Sequence, residues 1–411
     1  MGPIAVFDKS FIQSLNINES VWFDNFFSAV ITPYFYVETL ADLDKTSRRG
    51  KTSEEEVTIL AEKTPELSST PTQLHSELCL MSLLGYQVNP DGRPFLTGGR
   101  EVKFDDKEGT NFEVSPEAEA FNRWMNGDYL GVEKKFAQNW REAIEGISYD
   151  NVEKHLIDNK IDFKSCKNLK DAYEEADKFI NRKLDEIYYL VKFIFENLSI
   201  PKEYYEKIFY YLVQHTNKSK SLHEIAPYVA YVIKVDIFFQ ISIKRGFISD
   251  VRKSNKIDIS YLYYLPFCMI FISTDKLHKS CVPFFLKENQ EFIWGNDLKN
   301  GLKEIDIHYS SYSESIKEKG ILSFASRPPK DKNLFVSQVW NKHMNFNFEE
   351  DINSPQKLDI DDKELLKHLK QMRNAPINKS NIQKKEMDFV NLDKSVRRKK
   401  GSWYQVPKDL K

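Results

Sequence analysis

Two short apolar runs, far apart in the chain, each end next to an aspartate. Residues 3–7 are apolar and precede Asp8, and residues 267–272 are apolar and precede the segment Ser273–Asp275. Buried parallel strands appear in sequence as continuous apolar runs, and α/β proteins place reactive groups just beyond the C-terminal ends of such strands. The pattern therefore predicts two strands whose ends bring both aspartates to one site.

Helix-capping residues organise the segment after the first strand. Short helices are predicted over residues 9–15 and 20–30. Ser20 is the expected N-cap of the second helix, because its side chain can accept a hydrogen bond from a free backbone N–H. Thr32 followed by Pro33 is typical of an N-cap and first helical residue, and predicts a helix over 34–43 that carries Glu38. Residues 45–72 are polar and predict a solvated loop at a domain boundary.

The middle of the chain has mostly helical periodicity. Helices are predicted over residues 74–84, 116–125, 130–147, 169–195, 202–214 and 227–243, with a hairpin within 89–109. A short helix over 258–265 then ends at Pro266, and the second aspartate-tipped strand follows. Beyond it, a helix near 276–286, a strand over 291–295 and a helix over 297–305 complete an alternating order that favours a parallel sheet.

Charge, cysteine spacing and hydropathy limit the kinds of partner and compartment to expect for this protein. The 411 residues carry 59 Lys and Arg against 61 Asp and Glu, so any surface for a polyanion must be local. The four cysteines are scattered, without the paired spacing of a zinc or redox motif, and are predicted to be reduced. No segment reaches the ~20 apolar residues that span a bilayer, and no basic, cleavable leader is evident. We therefore expect a cytoplasmic protein without a membrane partner.

Four acidic residues resemble the acidic positions of the PIN-like nucleases. They are Asp8 after a strand, Glu38 on the helix that follows the Thr32-Pro33 turn, Asp258 on a short helix, and Asp275 two residues past Ser273. The resemblance covers roughly residues 1–45 and 225–310, and is most specific over Asp258–Phe267 and Phe271–Asp275. It implies a Rossmann-like parallel sheet and metal-dependent phosphodiester cleavage, usually of RNA. The chain departs from a minimal member by a long helical block and a C-terminal extension.

The chemistry of an acidic cluster leads to a similar expectation. Several carboxylates held within a few ångströms cannot all stay ionised without a cation, because like charges raise one another's pKa. An oxygen-rich cluster without Cys or His suits Mg²⁺ or Mn²⁺, which can activate water and stabilise a leaving oxygen. Asp8 and Asp275 are the expected direct ligands, Asp258 a ligand directly or through water, and Glu38 a ligand or a water-orienting group. Ser273 is expected to hydrogen-bond a ligand carboxylate or a phosphate.

Each acid also has an ordinary structural interpretation. Asp8 could cap the helix after its strand, and Asp258 could favour a helix dipole from the first turn. Glu38 and Asp42 lie four residues apart on one helix face, so either could be solvated surface. Asp275 is preferred because an acid at a strand end contributes least to folding.

Other polar residues leave alternatives open. Asp236 lies in an apolar helix, where an unpaired charge is costly. It is expected to pair with Lys234, Lys244 or Arg245, or to face the acids as a supporting residue. His75 and His278 could approach the site or simply pack. His223-Glu224 begins like a zinc-protease motif, but Pro227 stands where the second histidine would be.

The C-terminal tail carries a basic cluster close to aromatic residues. It consists of Arg397, Arg398, Lys399 and Lys400, with Trp403 and Tyr404 close behind. Basic residues beside aromatics suit phosphate contact and base stacking, so the cluster is a candidate nucleic-acid contact, the alternative being a solvated tail.

These observations give one main interpretation and two alternatives. The fold class is α/β, with a discontinuous PIN-like domain from residues 1–45 and 225–310, a mainly helical insertion over 46–224 and an extension over 311–411. The expected function is a Mg²⁺- or Mn²⁺-dependent endonuclease, with RNA favoured over DNA, restrained by the insertion or by an inhibitory or assembly partner. The alternatives are a nucleic-acid-binding or assembly protein that does not cleave, and a structural interaction module.

Overall fold

A computed structural model describes residues 2–45, 50–96, 99–104, 107–182, 187–198, 200–216, 221–344, 389–392 and 394–410. The strands in these ranges are β1 (Ile4–Phe7), β2 (Ser28–Ile31), β3 (Ser69–Pro71), β4 (Arg100–Phe104), β5 (Lys107–Phe112), β6 (Ile270–Ser273), β7 (Glu291–Trp294), β8 (Phe389–Leu392), β9 (Lys399–Lys400) and β10 (Trp403–Tyr404).

The α-helices, in chain order, surround these strands. They are α1 (Lys9–Ser14), α2 (Ile17–Phe26), α3 (Pro33–Ala41), α4 (Ser53–Lys63), α5 (His75–Leu83), α6 (Pro116–Met125), α7 (Gly131–Glu145), α8 (Val152–Asp158), α9 (Leu169–Ile180), α10 (Ile187–Asn197), α11 (Tyr205–Thr216), α12 (Leu222–Ile225), α13 (Pro227–Lys244), α14 (Asn255–Ser260), α15 (Lys276–Cys281), α16 (Gly295–Ser310), α17 (Glu314–Lys317), α18 (Ile321–Phe324) and α19 (Phe335–Met344). Short 3₁₀ helices cover Asp42–Asp44, Lys202–Tyr204, Tyr261–Phe267 and Val282–Phe284.

A five-stranded parallel sheet forms the centre of the protein. Its strand order is β3-β2-β1-β6-β7, and every pairing in it is parallel. The inner strands β1 and β6 are almost entirely buried, which explains their continuous apolar sequences. The architecture is a mixed α/β fold with a parallel central sheet, as predicted, and is compatible with a Rossmann-like arrangement.

The register of β1 and β6 aligns their two ends. Phe7 pairs with Ile272, and the Asp8 backbone N–H donates to the Ile272 carbonyl at 3.2 Å. Asp8 therefore lies beside Ser273 at the C-terminal edge of the sheet, and Asp275 follows two residues later. The prediction that the two strands bring their aspartates to one edge is confirmed.

The prediction of a solvated loop over residues 45–72 is wrong. Thr52 and Glu55 form a capping box that starts α4, whose Val57, Leu60 and Ala61 are buried. After α4, β3 pairs with β2 as the edge strand of the central sheet. Capping and tertiary packing outweigh the polar composition here, because a few buried apolar residues on one face suffice to dock a helix. The central sheet thus includes β3, which lies in the predicted insertion over residues 46–224. The division of the chain into three domains stays a prediction.

Two details of the predicted helices also differ. Helix α2 starts at Ile17, with Asn16 rather than Ser20 as the N-cap, because Asn16 and Glu19 bond each other's backbone in a capping box. The expected helix over 169–195 consists of α9 and α10, and residues 183–186 between them lie outside the description. The hairpin expected within 89–109 is β4 paired antiparallel with β5, which extends to Phe112.

Helix α13 is buried along most of its length. It packs against α9, α5 and α8, and its exposed positions are few. The surrounding helices explain why the sequence of α13 is apolar on nearly all sides, because a helix enclosed by protein has no face that must contact water. Within the described residues, no helix combines the length and apolarity required to cross a membrane.

The C-terminal segment folds back onto the body of the protein. Trp403 is 1% exposed, contacts the Trp22 ring with centroids 4.7 Å apart, and donates its indole N–H to Asp306 at 2.7 Å. Lys394 donates to the carbonyl of Ser69, next to the edge strand β3. Lys384 and Lys385, which extend the basic character of the sequence, lie outside the described residues.

Candidate functional site

A cleft of about 360 Å³ lies at the C-terminal edge of β1 and β6, between the sheet and α7. The four predicted acids all line it, together with two further acids and several basic and apolar side chains. The charged lining residues are Asp8, Glu38, Asp42, Glu145, Asp258, Asp275, Lys9, Lys45, Arg141 and Arg252. The structure therefore brings residues from both ends of the chain into one cleft.

Asp8 is fully engaged by protein donors. One oxygen, Oδ1, accepts the Phe11 N–H at 3.1 Å and caps α1, as the structural alternative predicted. The other oxygen, Oδ2, accepts the hydroxyl of Ser273 at 2.8 Å, and Ser10 lies within hydrogen-bond distance of both oxygens. Asp8 is 4% exposed, so its carboxylate is held in a fixed orientation at the base of the cleft.

Ser273 and His278 connect Asp8 to Asp258. Ser273 Oγ donates to Asp8, accepts the Asp275 N–H at 2.9 Å, and lies 2.8 Å from Nδ1 of His278. His278 Nε2 lies 2.6 Å from the backbone carbonyl of Asp258, so this nitrogen must donate. Because the single hydroxyl proton of Ser273 points to Asp8, His278 Nδ1 must donate as well. Because both ring nitrogens of His278 donate, the ring is a doubly protonated imidazolium. Ser273 donates a hydrogen bond to the carboxylate of Asp8, as predicted.

Electrostatics supports the same charge state for His278. Complete burial alone would lower the pKa of His278, but the hydrogen bond and charge of Asp8 and the nearby Asp258 raise it to about 9. The imidazolium is thus the internal counter-charge of Asp8, with its Nδ1 3.4 Å from Asp8 Oδ2.

Asp258 and Asp275 share one guanidinium. Arg252 Nη2 lies 3.1 Å from Oδ2 of Asp258 and 3.4 Å from Oδ2 of Asp275. Asp275 Oδ1 also caps α15 by accepting the Leu277 N–H at 2.7 Å. The argument that Asp275 contributes little to folding was therefore wrong, because the side chain satisfies a helix terminus.

Asp258 is the acid whose ionisation the cleft opposes. Its Oδ2 atom is buried and has no partner in hydrogen-bond geometry among the described residues, despite the nearby guanidinium of Arg252. Burial raises the pKa of Asp258 to about 7; the charges of Glu38 and Asp275 add to this effect, and His278 and Arg252 oppose it. A raised pKa at a carboxyl group in a cleft is a common property of functional sites.

Glu38 faces the cleft from α3. Its Oε2 accepts the hydroxyl of the buried Tyr261 at 2.5 Å, and its backbone carbonyl accepts from Lys9 at 3.0 Å. The neighbouring Asp42 is also buried, but it accepts Lys9 at 2.9 Å and Lys45 at 2.5 Å. Glu38 is thus positioned by one neutral donor, whereas Asp42 is neutralised by two lysines, which supports the choice of Glu38.

Asp236 is paired away from the acids. Its Oδ1 accepts Lys256 at 2.6 Å and the Tyr263 hydroxyl at 2.5 Å, and it does not line the cleft. None of the expected partners, Lys234, Lys244 or Arg245, was right, because the partner comes from α14 rather than from the same helix. Since Lys256 and Asp258 share α14, Asp236 supports the site by fixing that helix.

The lining of the cleft is rich in carboxylates, which are possible ligands of a divalent cation. The cleft has six acidic and four basic side chains, so it is two charges more negative than positive when all are ionised. Carboxylate oxygens suit Mg²⁺ and Mn²⁺, and the buried Oδ2 of Asp258 makes no hydrogen bond among the described residues, although it lies 3.1 Å from Arg252 Nη2. Among the described residues, no group of three His, Cys, Asp or Glu side chains is already arranged to hold a metal ion. The oxygen chemistry of the lining suits such a cation, whereas Arg252 pairs with Asp258 and Asp275 in this structure.

The basic residues of the tail are placed unequally. Lys400 is 1% exposed and donates to the Thr64 carbonyl at 2.8 Å, while Arg397 pairs with Glu66. Both therefore serve internal contacts in this structure. Arg398 donates to the carbonyl of Leu410, and Lys399 lies over the Tyr404 ring, yet both residues are exposed. Nucleic-acid contact by the tail stays a prediction.

Several residues of the site have little or no signal in the sequence. Arg252 has no local signal, since it lies in an irregular segment between α13 and α14. For His278, both approach to the site and packing were open, because its partners come from other elements. Tyr261 lies in an aromatic run that indicated only core packing, although its hydroxyl reaches Glu38.

Comparison with known proteins gives no match to this chain among protein-family models, curated proteins or solved structures.

Proposed function

We propose that the protein is a PIN-like, Mg²⁺- or Mn²⁺-dependent endonuclease that hydrolyses phosphodiester bonds, with RNA favoured over DNA. The observation that carries the proposal is the convergence of Asp8, Glu38, Asp258 and Asp275 on one cleft at the C-terminal edge of the parallel sheet. In open α/β sheets this edge is the usual place of ligand binding.

The charge of the cleft supports a divalent cofactor. The pKa of Asp258 is raised to about 7 by burial despite the nearby Arg252, and its Oδ2 makes no hydrogen bond among the described residues, so the counter-charge at this position is incomplete. Phosphate would be repelled from a lining with an excess of acids, and a divalent cation would remove that repulsion. We therefore expect nucleic acid to enter the cleft together with the cation.

The residues have distinct roles in this proposal. Asp258 and Asp275 would hold the cation with Asp8, and Glu38, oriented by Tyr261, would hold it or orient the attacking water. When bound, the cation supplies activation of water and stabilisation of the leaving oxygen. Arg252, once it releases the two aspartates, can bind a phosphate oxygen with its planar donors. His278 places its ring nitrogen 3.4 Å from the carboxylate of Asp8 and fixes the backbone at Asp258.

One observation favours a second candidate, a nucleic-acid-binding or assembly protein that does not cleave. Asp258 and Asp275 share Arg252, and the described acids are not already arranged for a metal ion. Such a protein could use the cleft for an electrostatic contact alone. An inhibitory or assembly partner, proposed from the size of the insertion, is compatible with both candidates.

A cleavage assay separates the candidates. Labelled RNA, single-stranded DNA and duplex DNA are incubated with the protein in Mg²⁺, Mn²⁺ or chelator, beside Asp275→Asn. Asparagine keeps the cap of α15, since it is as good an N-cap as aspartate, but removes the charge. We expect metal-dependent cleavage by the unchanged protein and its loss in Asp275→Asn.

Asp297→Asn is the matched control, because Asp297 is an exposed acid in the first turn of α16 and is not part of the cleft. It should cleave like the unchanged protein. Nucleic-acid binding without cleavage in any metal would instead support the second candidate, and equal activity in Asp275→Asn would remove the metal role assigned here.

A further inference from the structure

The helix α7 carries an exposed apolar stripe that leads into the acidic cleft. Val132 and Phe136 are 69% and 41% exposed, and Trp140 and Ile144 follow at the same spacing of four residues. Residues four apart lie on one helix face. Trp140 and Ile144 line the cleft, whereas Phe136 and Val132 lie about one and two turns farther from it along the helix. We call these four residues the α7 stripe.

Two aromatic rings of the α7 stripe are already stacked. The Phe136 and Trp140 rings have centroids 6.2 Å apart and planes at 14°. Large aromatic side chains are usually buried, so a stacked pair with an exposed member at the mouth of a cleft is typical of a binding surface. The indole nitrogen of Trp140 is buried and has no hydrogen-bond partner among the described residues, which is uncommon for such a group.

The α7 stripe does not serve to attach α7 to the rest of the protein. Helix α7 packs against α3 and the following 3₁₀ turn, and its fully buried positions are Glu133 and Ala137. Glu133 accepts the indole N–H of Trp124 at 3.1 Å and also pairs with Arg123. Helix docking is therefore accounted for by the neighbouring face, and the outer half of the stripe is left for a ligand.

Charge identifies the class of ligand that fits the α7 stripe. Arg141, next to Trp140, is 32% exposed at its side chain; its Nε donates to the Ala41 carbonyl at 3.3 Å and lies 3.7 Å from Asp44. Arg252 across the same cleft is 57% exposed and pairs with Asp258 and Asp275. Aromatic rings beside partly exposed arginines suit single-stranded nucleic acid, because bases stack on the rings while phosphates contact the cations. Bases in a duplex are stacked on one another and cannot use such a surface.

We propose that the α7 stripe binds single-stranded nucleic acid, with a base stacked on the Phe136–Trp140 pair at its exposed Phe136 ring and the adjoining phosphate at Arg141. This inference rests on the proposed function, because it places the strand so that it continues into the acidic cleft. The proposed binding by the α7 stripe would make the cleft select single strands over duplexes. It also gives α7, a part of the helical insertion, a direct role in substrate binding.

Binding measurements test the α7 stripe without relying on cleavage. Anisotropy of a labelled single-stranded RNA and of a matching duplex is measured in Ca²⁺ for the unchanged protein, Phe136→Ala, Trp140→Ala and Arg141→Gln. We expect each aromatic variant to lose on the order of 10-fold in affinity for the single strand, with an unchanged salt dependence. Arg141→Gln should reduce the slope of log affinity against log salt by about 0.7, since one phosphate contact is lost.

Phe209→Ala is the matched control, because Phe209 is 52% exposed on α11 and does not line the cleft. It should bind like the unchanged protein. Unaltered affinity in both aromatic variants, or an equal loss for the duplex, would overturn the proposal. So would a dimer that Phe136→Ala converts to a monomer, because a second copy would then cover the stripe. Single-strand binding that depends on the stripe, without any cleavage, would uphold this inference and contradict the nuclease.

Discussion

Replacement of Asp258 by asparagine is expected to slow cleavage strongly without weakening the fold. The side chain accepts no hydrogen bond that the described fold requires, since His278 binds its backbone carbonyl rather than its carboxyl group. Loss of one carboxylate from the cation site should reduce the cleavage rate on the order of 10²–10³-fold, because cation stabilisation contributes several kcal/mol. Steady-state kinetics on a labelled single strand measures this loss.

The stability of Asp258→Asn should have an informative dependence on pH. The folded pKa of about 7 lies above the ordinary aspartate pKa of 3.8, so the folded state binds more protons than the unfolded state between these values. The free energy of unfolding of the unchanged protein should therefore lose a few kcal/mol at this group as pH rises from about 4 to 7. Asparagine does not ionise, so the variant should equal or exceed the unchanged protein in stability at pH 8.

Chemical denaturation at pH 4 and pH 8 measures the difference, with Asp250→Asn as the control because Asp250 is exposed and outside the cleft. A variant destabilised at pH 8 would show that Asp258 is a structural residue. A variant that cleaves at the normal rate would show that it is not part of the cation site.

Replacement of His278 by alanine is expected to cost about 3–5 kcal/mol of unfolding free energy at pH 7, because it leaves the buried Asp8 without its counter-charge. His278 is completely buried, and its ring connects Ser273 with the backbone of α14. His278→Gln, which keeps hydrogen-bonding groups but loses the charge, should be affected less. Denaturant unfolding of the two variants gives this ranking.

The pH dependence of the unfolding free energy tests whether His278 stabilises the fold through its positive charge. The pKa of His278 is raised from 6.5 to about 9 in the folded protein, so its stabilisation is complete below pH 6.5 and is lost as pH rises through 9. The difference between the unchanged protein and His278→Gln should therefore shrink above pH 9. His308→Ala, at an exposed histidine of α16, should change stability by less than about 0.5 kcal/mol. A difference independent of pH would contradict the imidazolium assignment.

The parts of the fold that were predictable are those with a local physical cause. Continuous apolar runs identified β1 and β6, and the Thr32-Pro33 pair identified the start of α3, where Thr32 accepts the Phe35 N–H. The convergence of Asp8 and Asp275 followed from parallel pairing, since strand ends in such a sheet meet at one edge. These predictions needed no knowledge of distant contacts.

The parts that could not be predicted depend on tertiary partners. Asp236 pairs with Lys256 from a different helix, and no periodicity of α13 indicates that choice. Lys400 sits in a basic run that resembles a solvated tail, yet the carbonyl of Thr64 and the carboxylate of Glu66 hold it in the interior. The position of Arg252 between two aspartates likewise follows from the folding of an irregular segment.

The acidic cleft can be tested most directly by diffraction from crystals soaked in Mn²⁺, with data collected above the manganese absorption edge. The account predicts an anomalous peak in the cleft, in contact with carboxylate oxygens of Asp258 and Asp275, and a displaced Arg252 side chain. A cleft without a peak at saturating Mn²⁺, with Arg252 still bound to both aspartates, would contradict it.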